Sequence, residues 1–394
     1  MKLSDLVIFN PKRPLKKGES AAFVEMAALP ENGRDINRVD EKIFTGGGSK
    51  FANKDTLFAR ITPCLENGKT SLVSGLSDGE VAFGSTEFIV LAAKEPEYDS
   101  DYIYYLSRLG EFRSFARSRM EGTSGRQRVA WQSLADYEYD FPDKRLRKFA
   151  GDVLKKFDDK ILLNHQINHT LEQMAQALFK SWFVDFEPVK AKITALEAGG
   201  SQEDAMLAAM TAISGKDSDA LVVFEREHPE QYAQLKATAE LFPAAMQDSE
   251  LGAIPKGWGV ASISEMGKVT CGKTPSKKEP EYYGSDVPFI KIPDMHGQLF
   301  VLKTNEYLSE AGSKSQLKKL VPANSICVSC IATIGVVSIT NEPSHTNQQI
   351  NSVTPHKSSL LYYLYPRFYV STSKSIIKAL INMHSFEIQL SPIG

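Results

Sequence analysis

The sequence predicts an α+β fold in which two α/β domains are separated by one long helix able to form a coiled coil. Three observations carry that expectation. Landmarks recur in the same order on both sides of the middle of the chain. Leu3-Ser4-Asp5-Leu6 answers to Ile263-Ser264-Glu265-Met266, Gly48-Ser49-Lys50 to Gly312-Ser313-Lys314, and Tyr104-Tyr105-Leu106 to Tyr362-Tyr363-Leu364, at offsets of 260, 264 and 258 residues. A near-constant offset argues for duplicated domains with small insertions, and so long a period excludes a solenoid or propeller blade. Between the copies, Phe157, Ile161, Asn164, Asn168, Leu171, Ala175, Leu178 and Trp182 alternate steps of four and three, which is a heptad seam. Both flanking regions mix short β-type runs with helical stretches.

Residues 1–140 form the first predicted domain. Runs at 22–26, 56–61 and 88–92 have strand character, and 100–119 reads as a helix. Thr45-Gly-Gly-Gly-Ser49 lacks the Gly-Lys-Ser/Thr ending of a phosphate loop, so a flexible hairpin is expected there. Residues 141–187 are the helix. Asp140-Phe-Pro-Asp143 supplies a cap and an early proline, and the pattern runs to about Trp182. Some 40 residues at 1.5 Å each make a rod of roughly 60 Å, too long to stand without a partner. Asn164 and Asn168 within the seam would fix its register.

Residues 188–251 read as an acidic spacer with short helices around 203–213 and 229–241. The second domain, 252–394, opens at Gly252-Ala-Ile-Pro-Lys-Gly-Trp258 and has strands expected at 288–292, 325–332 and 336–339.

Composition narrows the function. The 394 residues suffice for two or three domains. No apolar run approaches the roughly 18 residues of a membrane span, and Met-Lys-Leu-Ser-Asp-Leu does not resemble a secretory leader, so a cytoplasmic location is expected. Four cysteines are too few for a disulfide framework. Cys327-Val-Ser-Cys330 looks like half of a zinc site, but Cys64, Cys271 and His345 supply no second spaced pair. The run around it is of strand type, so both thiols are expected in the core and no metal is predicted. The net charge is −2, yet residues 195–250 hold eleven Asp/Glu against three Lys/Arg, which leaves the two domains mildly basic and compatible with DNA.

Catalytic signatures are missing or misplaced. Asn10-Pro11-Lys12 lacks the second proline and the aromatic ring of an adenine-methyltransferase turn, and there is no P-loop. Pro142-Asp143 with Asp158-Asp159-Lys160 imitates a nuclease motif. On one helix, however, the 15 residues between Asp143 and Asp158 separate them by more than about 20 Å. His165 and His169 lie four apart without a third ligand and read as solvated helix positions. No catalytic residue is assigned and no cofactor is expected.

Base edges and phosphates are contacted by Arg, Lys, Asn and Gln from loops and element ends. In the first domain Lys50, Arg60, Lys69 and the Arg126-Gln127-Arg128 loop fit that chemistry. In the second, Lys273, Lys277, Lys278, Lys314 and Asn347-Gln348-Gln349 do.

With these residues in view the chain resembles the specificity subunit of type I restriction-modification enzymes over nearly its whole length. The residues that carry the resemblance are 168–189, ending in Ala-Leu-Phe-Lys-Ser-Trp-Phe-Val-Asp-Phe-Glu-Pro-Val, then Phe242-Pro243 and 248–258. Phe83-Gly-Ser-Thr-Glu-Phe88 and Gly122-Thr-Ser-Gly-Arg-Gln-Arg-Val129 support it. The resemblance implies two target-recognition domains, each reading half of a split duplex sequence, with helices setting the gap. It implies as partners modification subunits that methylate adenine with S-adenosylmethionine and restriction subunits that translocate and cut DNA with ATP. The subunit itself would be non-catalytic.

Two departures from the family pattern stand out. The first domain lacks the Ile-Pro-x-Gly-Trp entry, and the second repeat stops near the position that the first reaches at Gly125, before a second long helix. Self-association through 145–182 or an unstable product is then expected, because an uncovered seam would expose an apolar stripe. The competing readings are a coiled-coil assembly protein with protein-binding heads and a degenerate remnant. Salt-dependent, sequence-selective DNA binding separates them from the first.

Overall fold

The computed structural model describes residues 1–123, 125–250, 252–331 and 333–370, together with the strand Glu387–Leu390. The chain divides into two compact units, Met1–Asn168 and His169–Gly394, with the division falling inside the helix Lys144–Phe183.

In the first unit one sheet has the order Val7–Phe9, Phe88–Ala93, Thr56–Ala59, Thr70–Leu72, antiparallel throughout. A second has the order Asp40–Ile43, Ser20–Val24, Ala82–Gly84, Ser49–Phe51, with Ser20–Val24 and Ala82–Gly84 parallel. Phe88–Ala93 is buried along its whole length because its two faces serve two cores. Ile89, Leu91 and Ala93 point into a cluster with Phe58, Ile103, Leu106 and Phe112, while Phe88 and Val90 join Val24, Phe51, Leu57 and Val73. Period-two alternation sorts the side chains between cores, and each large one buried contributes about 1.5–3 kcal/mol.

The strands expected at 22–26, 56–61 and 88–92 are Ser20–Val24, Thr56–Ala59 and Phe88–Ala93. The helix expected at 100–119 is two, Pro96–Arg108 and Gly110–Ser118. Leu109 is extended (φ −60°, ψ 136°), which turns Phe112 and Ala116 into the core. The glycine-rich segment is not a hairpin. Asp40–Ile43 and Ser49–Phe51 are opposite edges of one sheet, so residues 44–48 cross it. Gly48 sits at φ +99°, and a Cβ there would lie 2.4 Å from the Gly84 carbonyl oxygen, so close backbone approach requires glycine.

The second unit repeats this framework. Gly267–Cys271, Ile350–Pro355, Ile326–Ser329 and Val337–Thr340 follow the order of the first sheet, with Phe300–Val301 added at the edge. Glu306–Leu308, Val287–Ile290 and His345–Thr346 repeat the second, including its parallel pair. Each domain also opens on a short turn whose entry amide is held by an acidic side chain: Lys2 N–H donates to Asp5 Oδ2 (2.8 Å) and Ser262 N–H to Glu265 Oε2 (2.6 Å). The Leu3 and Ile263 landmarks therefore correspond in space. The Gly-Ser-Lys pair does not: Ser49 and Lys50 lie in a strand, whereas Gly312-Ser313-Lys314 lies in the helix Glu310–Ser315, capped by Ser309 Oγ accepting from Gly312 N–H. Cys327 and Cys330 are core residues, and burial pushes the Cys327 thiol up to about 11.

Residues 188–251 are more than a spacer. Glu187–Glu197, Gln202–Ser214, Ser218–Glu227 and Pro229–Glu240 pack around Val189, Ala209, Met210, Ile213, Leu221 and Ala239, together with Phe186, Phe242, Ile254 and Trp258. The carboxylates that made the segment look like a spacer lie on outer faces or cap helices, as Asp204 and Asp217 do. Lys192 is buried, and its Nζ donates to the Ala239 and Phe242 carbonyls at 2.8 and 2.6 Å.

Candidate nucleic-acid interface

Asp143 starts the long helix, its carboxylate accepting from Arg145 and Leu146 N–H. The helix runs for 40 residues to Phe183, and Phe186, left-handed at φ 54°, then opens the next helix. One face of the N-terminal half packs on the first head. Arg147 Nε donates to Asp99 (2.6 Å), Gly151 abuts Asp101 and Tyr102, Asp158 accepts from Tyr105 Oη (2.7 Å), and Asp159 accepts from Arg34 (2.7 Å). Asp143, Asp158 and Asp159 thus have structural partners. Beyond residue 168 the helix packs in the second unit, where Glu172 accepts from Tyr365 Oη (3.0 Å) and Phe179 and Phe183 pack tilted and edge-on, respectively, against Tyr363.

The seam lies on another face. Phe157, Ile161, Leu171 and Leu178 are exposed at 65, 52, 57 and 45%, and Asn164 and Asn168 are exposed with them. Trp182 departs from the expectation: it packs edge-on against Phe242 in the helical core, so this end of the seam is already covered.

The basic residues divide into tethered and free. Lys50 Nζ donates to the Arg13 and Leu15 carbonyls and lies over Phe44; Lys69 Nζ donates to Met26 O. Lys314 pairs with Glu310 one helical turn away. Arg126, Lys273, Lys277 and Lys278 are exposed.

Around Arg126 three segments meet. Thr62 N–H donates to Gln127 O, Val129 N–H to Arg60 O, and Arg60 N–H to Glu87 O, each at 3.0 Å. Arg128 closes the cluster: its Nε–H is shared between the two Glu87 carboxylate oxygens at 3.0 and 2.9 Å, and its Nη2 donates to Oε1 at 2.7 Å. Arg60 Nε is buried without a hydrogen-bond partner among the described residues. Gln127 also lines a shallow polar hollow with Glu66, Ser114, Arg117, Ser118 and Met120. Burial, then the neighbouring charges of Arg108 and Arg117, pull the Arg113 pKa down. In the second head Asn347 Nδ2 donates to Gln349 Oε1 (3.0 Å), and exposed Gln348 accepts from Thr274 Oγ1 (2.5 Å). Asn347 itself is buried. Sequence reasoning missed Glu87 because only donors were sought, and missed Arg117, although Arg113 and Arg117 stand four apart on a helix.

Residues 255–390 match the family described as the type I restriction modification DNA specificity domain. The HindI specificity subunit of Haemophilus influenzae is 44% identical over 331 residues, which cover 82% of this chain and 71% of that one. The chain belongs to the type I restriction enzyme specificity subunits. The MjaIX specificity subunit of Methanocaldococcus jannaschii is 31% identical over 134 residues, 34% of this chain and 31% of that one. The type I S subunit from M. genitalium aligns over 99% of this chain and 84% of its own at 12% identity, with a TM-score of 0.39. As a specificity subunit, the chain is the DNA-recognition component of a restriction-modification complex. Among its described residues no helix is long and apolar enough to cross a membrane.

Proposed function

We propose that this specificity subunit reads a bipartite duplex target, one half with each head, and that it recruits adenine-methyltransferase modification subunits and restriction subunits without catalysing a step itself. One observation carries the reading: four strands of one sheet and three of the other, including the parallel pair, recur in the same order in each of the two units. Two copies of one framework suit two half-sites.

Within the heads, Arg126, Lys273, Lys277 and Lys278 supply phosphate contacts, since they are exposed cations without a structural task. Arg60, Gln127 and Arg128 in the first head and Gln348 and Gln349 in the second supply groups able to reach base edges. Lys50, Lys69 and Lys314 serve the fold first, each already donating within the chain. Phe157, Ile161, Leu171 and Leu178, with Asn164 and Asn168 fixing register, form the face that a helix of another chain covers.

Mapping methylated adenines in cells with and without the gene tests the function. Loss of one two-part motif with a fixed gap is the expected result; an unchanged methylome overturns it.

A further inference from the structure

The first strand of each head runs into a loop with the same basic pattern. Val7–Phe9 and Gly267–Cys271 are corresponding edge strands of the first sheet. After them come Lys12-Arg13-Pro14-Leu15-Lys16-Lys17 and Lys273-Thr274-Pro275-Ser276-Lys277-Lys278, which agree at four of six positions at an offset of 261 residues, within the range of the other landmarks. Neither run holds a carboxylate. Each closes on a glutamate whose N–H donates three residues back, Glu19 to Lys16 O (3.2 Å) and Glu279 to Ser276 O (3.3 Å), so both lysine pairs lie in the closing turn. The Glu19 carboxylate caps its turn by accepting from Lys16 N–H (3.1 Å).

Both loops are pinned, but by different side chains. In the first head Lys50 Nζ donates to the Arg13 and Leu15 carbonyls (3.2 and 3.5 Å), and Arg13 Nη2 donates to the Asp55 carboxylate at 2.7 and 2.6 Å. In the second, Gln316 Nε2 donates to Lys273 O (3.0 Å), Tyr283 Oη to Pro275 O (3.0 Å) and Thr274 Oγ1 to Gln348 Oε1 (2.5 Å). The residue between the first lysine and the proline is thus an anchor in each copy. All six lysines are exposed, and among the described residues none of their ammonium groups has a hydrogen-bond or ion-pair partner.

The anchors have diverged between the copies and the lysines have not. A solvated surface sets no such constraint, because exposed side chains without a partner exchange at little cost. The backbone of DNA does set it. Every half-site carries the same phosphates whatever its bases, so a chain that reads two different sequences needs the same cations in both heads. The first head is otherwise short of them: Lys50 and Lys69 are tethered, which leaves Arg126 against the three free lysines of the second.

We propose that Lys12, Lys16 and Lys17 form a phosphate-binding loop in the first head, the counterpart of Lys273, Lys277 and Lys278, so that both heads grip the backbone of duplex DNA through one repeated basic segment that carries no base preference. The proposal rests on the heads being the DNA-reading domains. The test measures binding of the assembled complex across a salt series to a duplex carrying the methylated motif mapped in cells and to a random duplex of equal length, with thermal unfolding of each purified chain. K12Q/K16Q/K17Q is expected to lower the slope of log affinity against log salt by about 3, as K273Q/K277Q/K278Q does, and to weaken binding to both duplexes by the same factor, about tenfold or more. K12R/K16R/K17R should retain the parental slope, and so should K190Q/K236Q, which removes exposed charge from the helical module. A first-head triple variant with the parental slope overturns the proposal, as does a slope that falls as far per charge in K190Q/K236Q. Unequal weakening of the two duplexes overturns it as well, because the loop would then be reading bases. Should the triple variant unfold early, K12Q, K16Q and K17Q taken singly decide, each by a slope lower by about 1 or unchanged. A parent complex that binds the motif duplex no better than the random one would overturn the DNA reading itself, a result reached before any variant is compared.

Discussion

Arg147 and Asp99 form an ion pair at 2.6 Å whose side chains are 7% and 1% exposed, joining the first turn of the long helix to the helix Pro96–Arg108. Arg147 also donates to Pro142 O (2.7 Å), so its guanidinium ties the helix to the segment that precedes it. Removing one partner leaves a buried charge uncompensated, at a cost of about 3–5 kcal/mol, whereas replacing both with apolar residues of similar volume is close to neutral. Denaturant unfolding of the first unit should therefore show a large loss for Asp99→Ala or Arg147→Ala and a much smaller one for Asp99→Leu with Arg147→Met. Equal losses for single and double variants would show that the pair contributes nothing beyond packing.

The exposed seam predicts a different signature. Phe157 and Ile161 are more than half exposed, so Phe157→Ser and Ile161→Ser should change the chain's own stability by no more than about 0.5 kcal/mol. Covered by a partner helix, the same positions lie in an apolar core, and the substitutions should weaken association by an order of magnitude or more. Light scattering and titration with the modification subunits, alongside unfolding curves, separate the two effects. Variants that assemble at parental affinity would remove this face from the interface.

His345 gives the second head a pH dependence. It is fully buried, its Nε2 lies 2.9 Å from Ser313 Oγ and its Nδ1 faces Gln316, so among the described residues no carboxylate is hydrogen-bonded to the ring. Burial depresses the pKa from 6.5 to about 4. The unfolded chain binds the proton first, so stability is full above about 6.5 and falls as pH drops from there towards 4. At about 1.4 kcal/mol per tenfold change the loss approaches 3 kcal/mol. Unfolding midpoints from pH 7 to 4 should decline more steeply for the parent than for His345→Asn, and identical slopes would exclude the histidine as the cause.

These elements differ in how readily the sequence disclosed them. The long helix was legible because its seam repeats without a break, and its end because Lys180-Ser181-Trp182-Phe183 precedes an abrupt change of pattern. Strand Phe88–Ala93 was legible as a continuous apolar run, though its service to two cores was not, since both faces read alike. The helical module was hidden by its carboxylates: net charge reports outer faces, while Val189, Met210 and Leu221 form the core. The Gly-Ser-Lys landmark misled because three small or polar residues fit a strand edge and a helix equally well. At the candidate interface, residue type marked the right loops but could not separate Lys50, tied to two carbonyls, from Lys277, which is exposed. Tethering depends on which backbone oxygens fold against a side chain, and that is set by sheet order.

That distinction yields a salt-dependence test. Each phosphate neutralised by a cation releases condensed counterions, and loss of one such contact lowers the slope of log affinity against log salt by about 1. Arg126→Ala, Lys277→Ala and Lys278→Ala should each reduce the slope by about that amount, weaken binding to all sequences alike and leave the unfolding transition in place, because none of these side chains braces the fold. Lys50→Ala should do the reverse, since its ammonium donates to two carbonyls and lies over the Phe44 ring: stability falls while the slope holds. Binding of the assembled complex to a target duplex across a salt series, with melting of each variant, measures both quantities. A slope that responds to Lys50 and ignores Lys277 and Lys278 would place the phosphate track on a different face of the heads.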